Sequence, residues 1–120
     1  MQSVILVDDD KSGTNLVKML LEMDGFQVTV CPDSQRAKIA AMNGADAFII
    51  DCNLSPGDDG VDLLREIRAG STAAPPEIPI IMISGDDRRL PAAVEAGANG
   101  FLLKPYSTST LSEELSNLLA

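Results

Sequence analysis

The chain of 120 residues has no histidine, no tryptophan and only two cysteines. Zinc, haem and dithiol redox sites lack their usual ligands, because Cys31 and Cys52 belong to no CxxC or histidine-containing pattern. Both thiols are expected to be small buried side chains. Aromatic residues make up 3% of the chain, too few for a surface that stacks nucleic-acid bases. The first apolar run is short and ends at three aspartates, which predicts neither a secretion signal nor a membrane span.

Positive charge is also scarce. The nine Lys and Arg residues are outnumbered by 18 Asp and Glu residues, giving a formal net charge of -9. The basic residues are scattered along the chain, and the excess of negative charge would repel a phosphate backbone. We therefore expect a cytoplasmic protein that binds neither nucleic acid nor a membrane. The length is typical of one domain, which we assign to residues 1–120.

Short apolar runs alternate with stretches of helical spacing. The runs predict strands at residues 4–7, 26–30, 47–50, 79–83 and 101–103. Helical spacing follows each run: Leu16, Met19, Leu20 and Met23, for example, recur at i, i+3, i+4 and i+7. Residues 110–113, with the sequence TLSE, predict a capping box for the last helix. Five alternating pairs indicate an α/β domain whose parallel sheet is covered on both faces.

Polar residues stand where four of these apolar runs end. They are Asp8, Asp9 and Asp10 after the first run, Asp51 after the third, Ser84 after the fourth and Lys104 after the fifth. In an open parallel sheet, ligands bind outside the carboxyl ends of the strands. The pattern therefore predicts that carboxylates, a hydroxyl and an ammonium group share one pocket.

Carboxylates that lie close together repel one another, by about 4 kcal/mol for two unit charges about 4 Å apart at an effective dielectric constant of 20. Either their pKa values rise or a cation neutralises them. Hard oxygen ligands suit Mg²⁺, and an aspartate beside that cation can attack phosphorus. Each residue alone also has a structural interpretation: Asp8 to Asp10 as a helix cap, and Asp51, Ser84 and Lys104 as turn or loop residues. Their conjunction at four strand ends favours the chemical interpretation.

The chain resembles a response-regulator receiver domain over essentially its whole length. The matching motifs are LVDDD at residues 6–10, FIID at 48–51 with Pro56, Asp59 and Gly60 beyond it, MISG at 82–85 and GANGFLLKP at 97–105. The resemblance implies a single doubly wound (βα)5 domain, flavodoxin-like, with a five-stranded parallel sheet of order 2-1-3-4-5. In that order the first and third strands are neighbours at the topological switch point. Lys104-Pro105 resembles the cis peptide of the family.

The resemblance also implies a signalling role in a two-component system. Asp51 would accept a phosphoryl group from a histidine kinase or a histidine phosphotransfer domain, and the chain would not be a conventional turnover enzyme. Asp8, Asp9 and Asp51 would hold Mg²⁺ together with the backbone carbonyl of Asn53. Lys104 and the Ser84 hydroxyl would each contact a phosphoryl oxygen.

A phosphoryl group on Asp51 adds charge and acceptor oxygens that can draw the Ser84 hydroxyl inwards. In the family this movement lets an aromatic residue of the fifth strand rotate, and Phe101 occupies the matching position. The fourth helix, fifth strand and fifth helix would then present the changed face to a downstream protein or output domain. The chain departs from the family pattern in the loop after Asp51, which is one residue longer: Pro56 and Gly60 follow at five and nine residues. Residues 105–120 also contain no Lys or Arg, so we do not expect a dimer with charges paired across this face.

Three other functions fit parts of the pattern. A phosphorylation-independent interaction module would share the fold but need neither Mg²⁺ nor Asp51. An aspartate-nucleophile phosphatase of the haloacid-dehalogenase type needs an acid two residues after the nucleophile, where Asn53 stands. A flavodoxin-like FMN binder would place three aspartates beside the cofactor phosphate, which their charge opposes.

Overall fold

The computed structural model describes all 120 residues and contains one five-stranded sheet. The strands are β1 (Ser3–Val7), β2 (Gln27–Cys31), β3 (Ala47–Asp51), β4 (Ile80–Ser84) and β5 (Gly100–Leu103). All pair in parallel, in the order β2-β1-β3-β4-β5. The predicted doubly wound, flavodoxin-like fold is confirmed. Strands β3 and β4 each extend one residue further than the apolar runs indicated, so Asp51 and Ser84 are the last residues of their strands rather than the first residues beyond them.

The helices are α1 (Lys11–Met23), α2 (Ser34–Ala41), α3 (Gly60–Arg68), α4 (Leu90–Ala96) and α5 (Thr108–Leu119). A 3₁₀ turn, Asp87–Arg89, precedes α4. Side chains of α1 and α5 pack with one set of strand residues, and those of α2, α3 and α4 pack with the other set. This arrangement explains why the strands are continuous apolar runs rather than alternating ones. Both cysteines are buried, as expected. None of the helices has the length and apolar character that a bilayer span requires.

Helix α1 forms where its spacing predicts, but the apolar residues that predict it do not face the core. Leu16, Met19 and Met23 are 54%, 52% and 76% exposed, whereas Thr14 and Leu21 are buried. Two stripes with helical spacing overlap in this segment, and the one containing a threonine packs on the sheet. The Thr14 hydroxyl is accommodated there because it donates to the Lys11 carbonyl, at 3.1 Å.

The start of the last helix differs from the prediction. A capping box was expected at residues 110–113, but α5 begins at Thr108 and its N-cap is Ser107. No side chain accepts a hydrogen bond at this cap; the Ser107 and Ser109 hydroxyls pair with each other instead, at 2.6 Å. Leu111 and Leu115 are fully buried against the sheet. Packing of these leucines sets where the helix lies, and the TLSE pattern falls inside it.

Candidate functional site

The three consecutive aspartates after β1 have three different environments. Asp8 is buried, and its Oδ1 accepts a hydrogen bond from the Asp10 amide at 3.0 Å. Asp9 is exposed. Asp10 is the N-cap of α1 and accepts from the Gly13 amide at 3.3 Å. Capping therefore accounts for Asp10 alone and leaves Asp8 with no helical role.

Asp51 lies beside Asp8 because β1 and β3 are neighbours in the sheet. Val7 and Ile50 are partners in the β1–β3 register, so the residues that follow them emerge at the same edge. The Asp51 side chain is buried, and its Oδ1 accepts from the Asn53 amide at 2.9 Å. Each of the two carboxylates thus uses one oxygen in a bond to the amide two residues further along the chain.

Lys104 occupies the space between these two carboxylates. Its Nζ lies 3.0 Å from Oδ2 of Asp8 and 2.7 Å from Oδ2 of Asp51. The lysine is brought there by β5, whose pairing with β4 continues as a bond from the Lys104 amide to the Ser84 carbonyl. The Lys104-Pro105 peptide is cis. The arrangement is a cluster of two buried carboxylates and one half-buried ammonium group, with a formal charge of -1.

Burial and charge pairing act in opposite directions in this cluster. Burial raises the pKa of the Asp51 carboxyl, and the bonds from Lys104 and the Asn53 amide offset only part of the rise. Burial alone would lower the pKa of the Lys104 ammonium, but its bonds to Asp51 and Asp8 outweigh burial and raise it. Ionisation of Asp51 is therefore less favourable than that of a solvated aspartate, in spite of the neighbouring ammonium group.

The donor set suits a hard cation in its chemistry, since Asp8 and Asp51 offer only oxygen and the cluster has excess negative charge. The third predicted carboxylate does not join them. Asp9 is exposed, and no three Asp, Glu, His or Cys side chains are grouped so that they could hold a metal. Asn53 is also exposed, and its backbone pairs with Asp59 in an isolated antiparallel bridge. The residues fit Mg²⁺ by donor type and charge, with Lys104 as the cation present between the carboxylates.

Neither of the two predicted switch residues is bonded to the carboxylate cluster. Ser84 is fully buried, and its Oγ accepts from the Asp86 amide at 3.1 Å. It makes no bond to Asp51, whose side chain is bonded to Lys104 and the Asn53 amide. Phe101 is half-buried and packs against the core on the side of α2, α3 and α4. It is the partner of Met82 in the β4–β5 register. Both side chains are thus on the β4–β5 side of the site.

Gly60 allows α3 to begin directly against the end of β3. A Cβ atom at this position would lie 1.8 Å from the Asp51 carbonyl oxygen. The Gly60 amide donates to the Cys52 carbonyl at 3.0 Å. Only a residue without a side chain permits this approach. The family motif marked Gly60, but the contact it makes with Asp51 has no signature in the sequence.

A groove of about 450 Å³ opens beside the cluster, between α1 and the β5–α5 connection. Asp8 and Lys104 line it together with Thr14, Leu16 and Tyr106. Leu16 is the one residue of the exposed apolar stripe of α1 that lines this groove. The sequence predicted the helix but not this groove, because spacing alone does not show which helix face is covered.

The family model described as "Response regulator receiver domain" matches residues 4–116. The chain belongs to this family. The transcriptional regulatory protein CpxR of Klebsiella pneumoniae is 33% identical over 113 residues, which is 92% of this chain and 46% of that protein. The sensory transduction protein RegX3 of Mycobacterium tuberculosis H37Rv is 35% identical over 115 residues, 92% of this chain and 48% of that protein. The receiver domain thus spans about half the length of these relatives.

Solved structures of receiver domains have the same fold. The receiver domain of the sensor histidine kinase PA1611 from Pseudomonas aeruginosa, described with magnesium in its active-site cleft, superposes with a TM-score of 0.86 at 29% identity. The superposition covers 98% of this chain and 97% of that one. CheY4 of Vibrio cholerae gives a TM-score of 0.87 at 28% identity, over 99% of both chains. Receiver domains of response regulators are signalling domains that receive phosphoryl groups from histidine kinases.

Proposed function

We propose that this receiver domain accepts a phosphoryl group on Asp51 from a phosphohistidine on a histidine kinase or histidine phosphotransfer domain. The observation that carries the proposal is the pair of buried carboxylates, Asp8 and Asp51, bridged by one ammonium group at a strand edge. An Oδ atom of Asp51 would attack phosphorus. The N–P bond of the phosphohistidine would break, and its electron pair would stay on the imidazole of the donor. The exchange would take place in the cytoplasm.

Lys104 would keep its charge throughout this transfer. Its raised pKa, caused by the two carboxylates, keeps the amine protonated at neutral pH. A pre-positioned ammonium stabilises negative charge on the transferring group without reorganising. The contact of 2.7 Å with Asp51 in the resting state would be exchanged for a contact with a phosphoryl oxygen.

Mg²⁺ would be held by the carboxylates of Asp8, Asp9 and Asp51 and by the carbonyl of Asn53. When bound, the ion would neutralise the carboxylates and the phosphoryl oxygens. The excess negative charge of the Asp8–Asp51–Lys104 cluster supports this part of the proposal, as does the magnesium described in the PA1611 receiver domain. Asp9 would have to turn inwards from its exposed position.

The phosphoryl group would then draw the Ser84 hydroxyl towards Asp51. The Ser84 Oγ accepts from the Asp86 amide, and its own proton is free to be donated to a phosphoryl oxygen. Movement of this strand end would open space for Phe101, which carries no hydroxyl that burial would leave unpaired. The altered face would comprise α4, β5 and α5, where Leu90, Val94 and Leu103 are exposed and could contact a downstream protein or output domain.

Intact mass after incubation with Mg²⁺ and acetyl phosphate tests the proposal. We expect one phosphoryl adduct in the wild type, none in Asp51→Asn, and none when EDTA replaces Mg²⁺. Asp62→Asn is a matched control, since it removes an exposed carboxylate on α3 and should leave the adduct intact. Absence of the adduct under conditions that phosphorylate another receiver domain would instead favour the phosphorylation-independent interaction module.

A further inference from the structure

One ion pair joins the loop that follows Asp51 to the segment that follows Ser84. Asp59 ends this loop, residues 52–59, and is the N-cap of α3, where its Oδ1 accepts from the Val61 amide at 2.8 Å. Arg89 ends the 3₁₀ turn before α4. Its Nη2 lies 2.7 and 2.8 Å from the two oxygens of Asp59. A single carboxylate therefore serves both as a helix cap and as the partner of an arginine 30 residues away.

The residues on both sides of Asp59 are held by contacts with other parts of the chain. Its neighbour Asp58 accepts bonds from the amide and hydroxyl of Ser34, at 2.9 and 2.5 Å, which fastens the loop to the start of α2. On the other side, Gly60 packs against the Asp51 backbone so closely that no Cβ would fit. Asp59 is thus anchored on both sides, and a movement of residues 85–89 would separate Arg89 from it.

The segment that carries Arg89 is held far less firmly. Gly85 is exposed, with no atom near the position of a Cβ. Asp86 bonds to Arg88, which keeps that pair within the segment. The Arg89 amide bonds to the Asp86 carbonyl within the segment, and the remaining hydrogen bonds join it only to Ser84 and to Leu90 at the start of α4. The bond from Arg89 to Asp59 is thus the link between this segment and the loop after Asp51.

The Arg89 guanidinium is not satisfied in this position. Its Nε is buried and has no hydrogen-bond partner, although the side chain as a whole is 30% exposed. Burial raises the pKa of Asp59, but the bonds from Arg89 and the Val61 amide outweigh it and hold that pKa below its usual value. The pair thus combines a strong contact with an unpaired N–H group, which costs free energy in this one conformation.

We propose that the Asp59–Arg89 pair is a tether that holds residues 85–89 in the resting position and thereby limits how readily the domain is phosphorylated. The inference rests on the proposed function, since it assumes that these residues follow Ser84 when Asp51 is phosphorylated. An interaction present only in the resting conformation shifts the equilibrium towards it by its own free energy. Loss of the pair should therefore make the phosphorylation-competent conformation more populated.

The tether can be tested without any phosphodonor, by amide hydrogen exchange on the unphosphorylated protein. Arg89→Gln removes the charge, and Asp59→Asn retains an oxygen for the Val61 amide. We expect exchange in residues 85–89 to be about two- to fivefold faster in either variant, the range for one partly exposed ion pair. The double variant should exchange no faster than the single ones. Arg88→Gln is the matched control, because it removes a neighbouring guanidinium whose partner, Asp86, lies within the segment. Equal exchange in Arg89→Gln and Arg88→Gln would overturn the tether.

The regulatory part is tested by the rate of phosphorylation with acetyl phosphate and Mg²⁺. Arg89→Gln and Asp59→Asn should be phosphorylated about two- to fivefold faster than the wild type, and Arg88→Gln at the wild-type rate. A wild type that is phosphorylated while Arg89→Gln is no faster than Arg88→Gln refutes the regulatory role and leaves the proposed function intact. A wild type that is not phosphorylated refutes the proposed function, and hydrogen exchange still decides whether the tether exists.

Discussion

A half-buried cation lies at each end of the parallel strands, and the two cations have different partners. We call the end where the strands begin the amino edge and the end where they finish the carboxyl edge. At the amino edge, Arg68 at the end of α3 donates to three backbone carbonyls and to the Asn99 side chain, at 2.6 to 2.9 Å. At the carboxyl edge, Lys104 is shared by two carboxylates, so one negative charge of this cluster is not paired. All acceptors in the Arg68 cluster are neutral oxygens, whereas both acceptors in the Lys104 cluster are carboxylates, which leaves a formal charge of -1 there.

This difference separates structural from chemical use of buried charge. The Arg68 cluster joins α3, the connection before β4 and the connection before β5. Its guanidinium donates to groups of the protein itself, which is typical of a structural role. In the Asp8–Asp51–Lys104 cluster the excess charge is negative and lies on buried carboxylates, which are possible cation ligands. Buried carboxylates are normally paired one to one with a cation, so two of them sharing one ammonium group at the strand ends indicate a candidate binding site. Three substitutions test how far the contrast holds.

The largest loss in the free energy of unfolding is expected from a substitution at Gly60, where the packing at the carboxyl edge is tightest. Gly60→Ala places a Cβ against the Asp51 carbonyl, so the start of α3 must move away from β3. We expect a loss of about 3 kcal/mol in the free energy of unfolding, measured by urea denaturation. Gly85→Ala is the control at the same edge, since its Cβ would meet no atom, and its effect should stay within about 0.5 kcal/mol. Equal stability of the two variants would show that α3 adjusts without strain.

The second largest loss of stability is expected from removing Arg68 at the amino edge. Arg68→Gln removes most of the donors that satisfy the Pro76, Ile78 and Gly97 carbonyls, and we expect a loss of about 2 kcal/mol in the free energy of unfolding. Arg65→Gln, one turn earlier on α3, breaks only an exposed ion pair with Asp62 and should change stability by less than about 0.5 kcal/mol. Phosphorylation of Asp51 should be unaffected in both variants. A change in phosphorylation on losing Arg68 would contradict a purely structural role.

Much of this architecture could be predicted from the sequence, because strand runs and strand ends are local patterns. The five apolar runs fall on the five strands to within about one residue, and the sheet order makes Asp8, Asp51 and Lys104 converge. The family motifs supplied that order, since apolar runs do not specify which strands are neighbours.

Features that depend on packing could not be predicted in the same way. Either stripe of α1 has helical spacing, and only the sheet decides that Thr14 and Leu21 face inwards while Leu16 and Met19 remain exposed. The exposed position of Asp9 is likewise invisible in a run of three aspartates. The Asp59–Arg89 pair joins two loops with no repeating pattern between them, so no sequence signal identifies it.

The smallest effect is expected from removing the excess charge itself. Asp51→Asn leaves Lys104 paired with Asp8 alone, and we expect the metal-free protein to become more stable by about 1 kcal/mol at pH 7. Burial raises the pKa of Asp51 in the folded state, so the folded protein binds its proton more tightly than the unfolded chain does. Stability is therefore lost as pH rises through the folded pKa and is not affected below the unfolded value of about 3.9.

The stabilisation by Asp51→Asn should accordingly be absent near pH 3 and grow towards neutral pH. Urea denaturation in EDTA at several pH values measures it, with Asp62→Asn as the exposed control. Mg²⁺ should reduce this difference in stability, because it would bind the folded wild type more tightly than the variant and so stabilise the wild type more. If Asp51→Asn were destabilising in EDTA at pH 7, the bonds that Asp51 accepts from Lys104 and the Asn53 amide would outweigh the cost of its excess charge. The structural argument for a cation at the carboxyl edge would then fail.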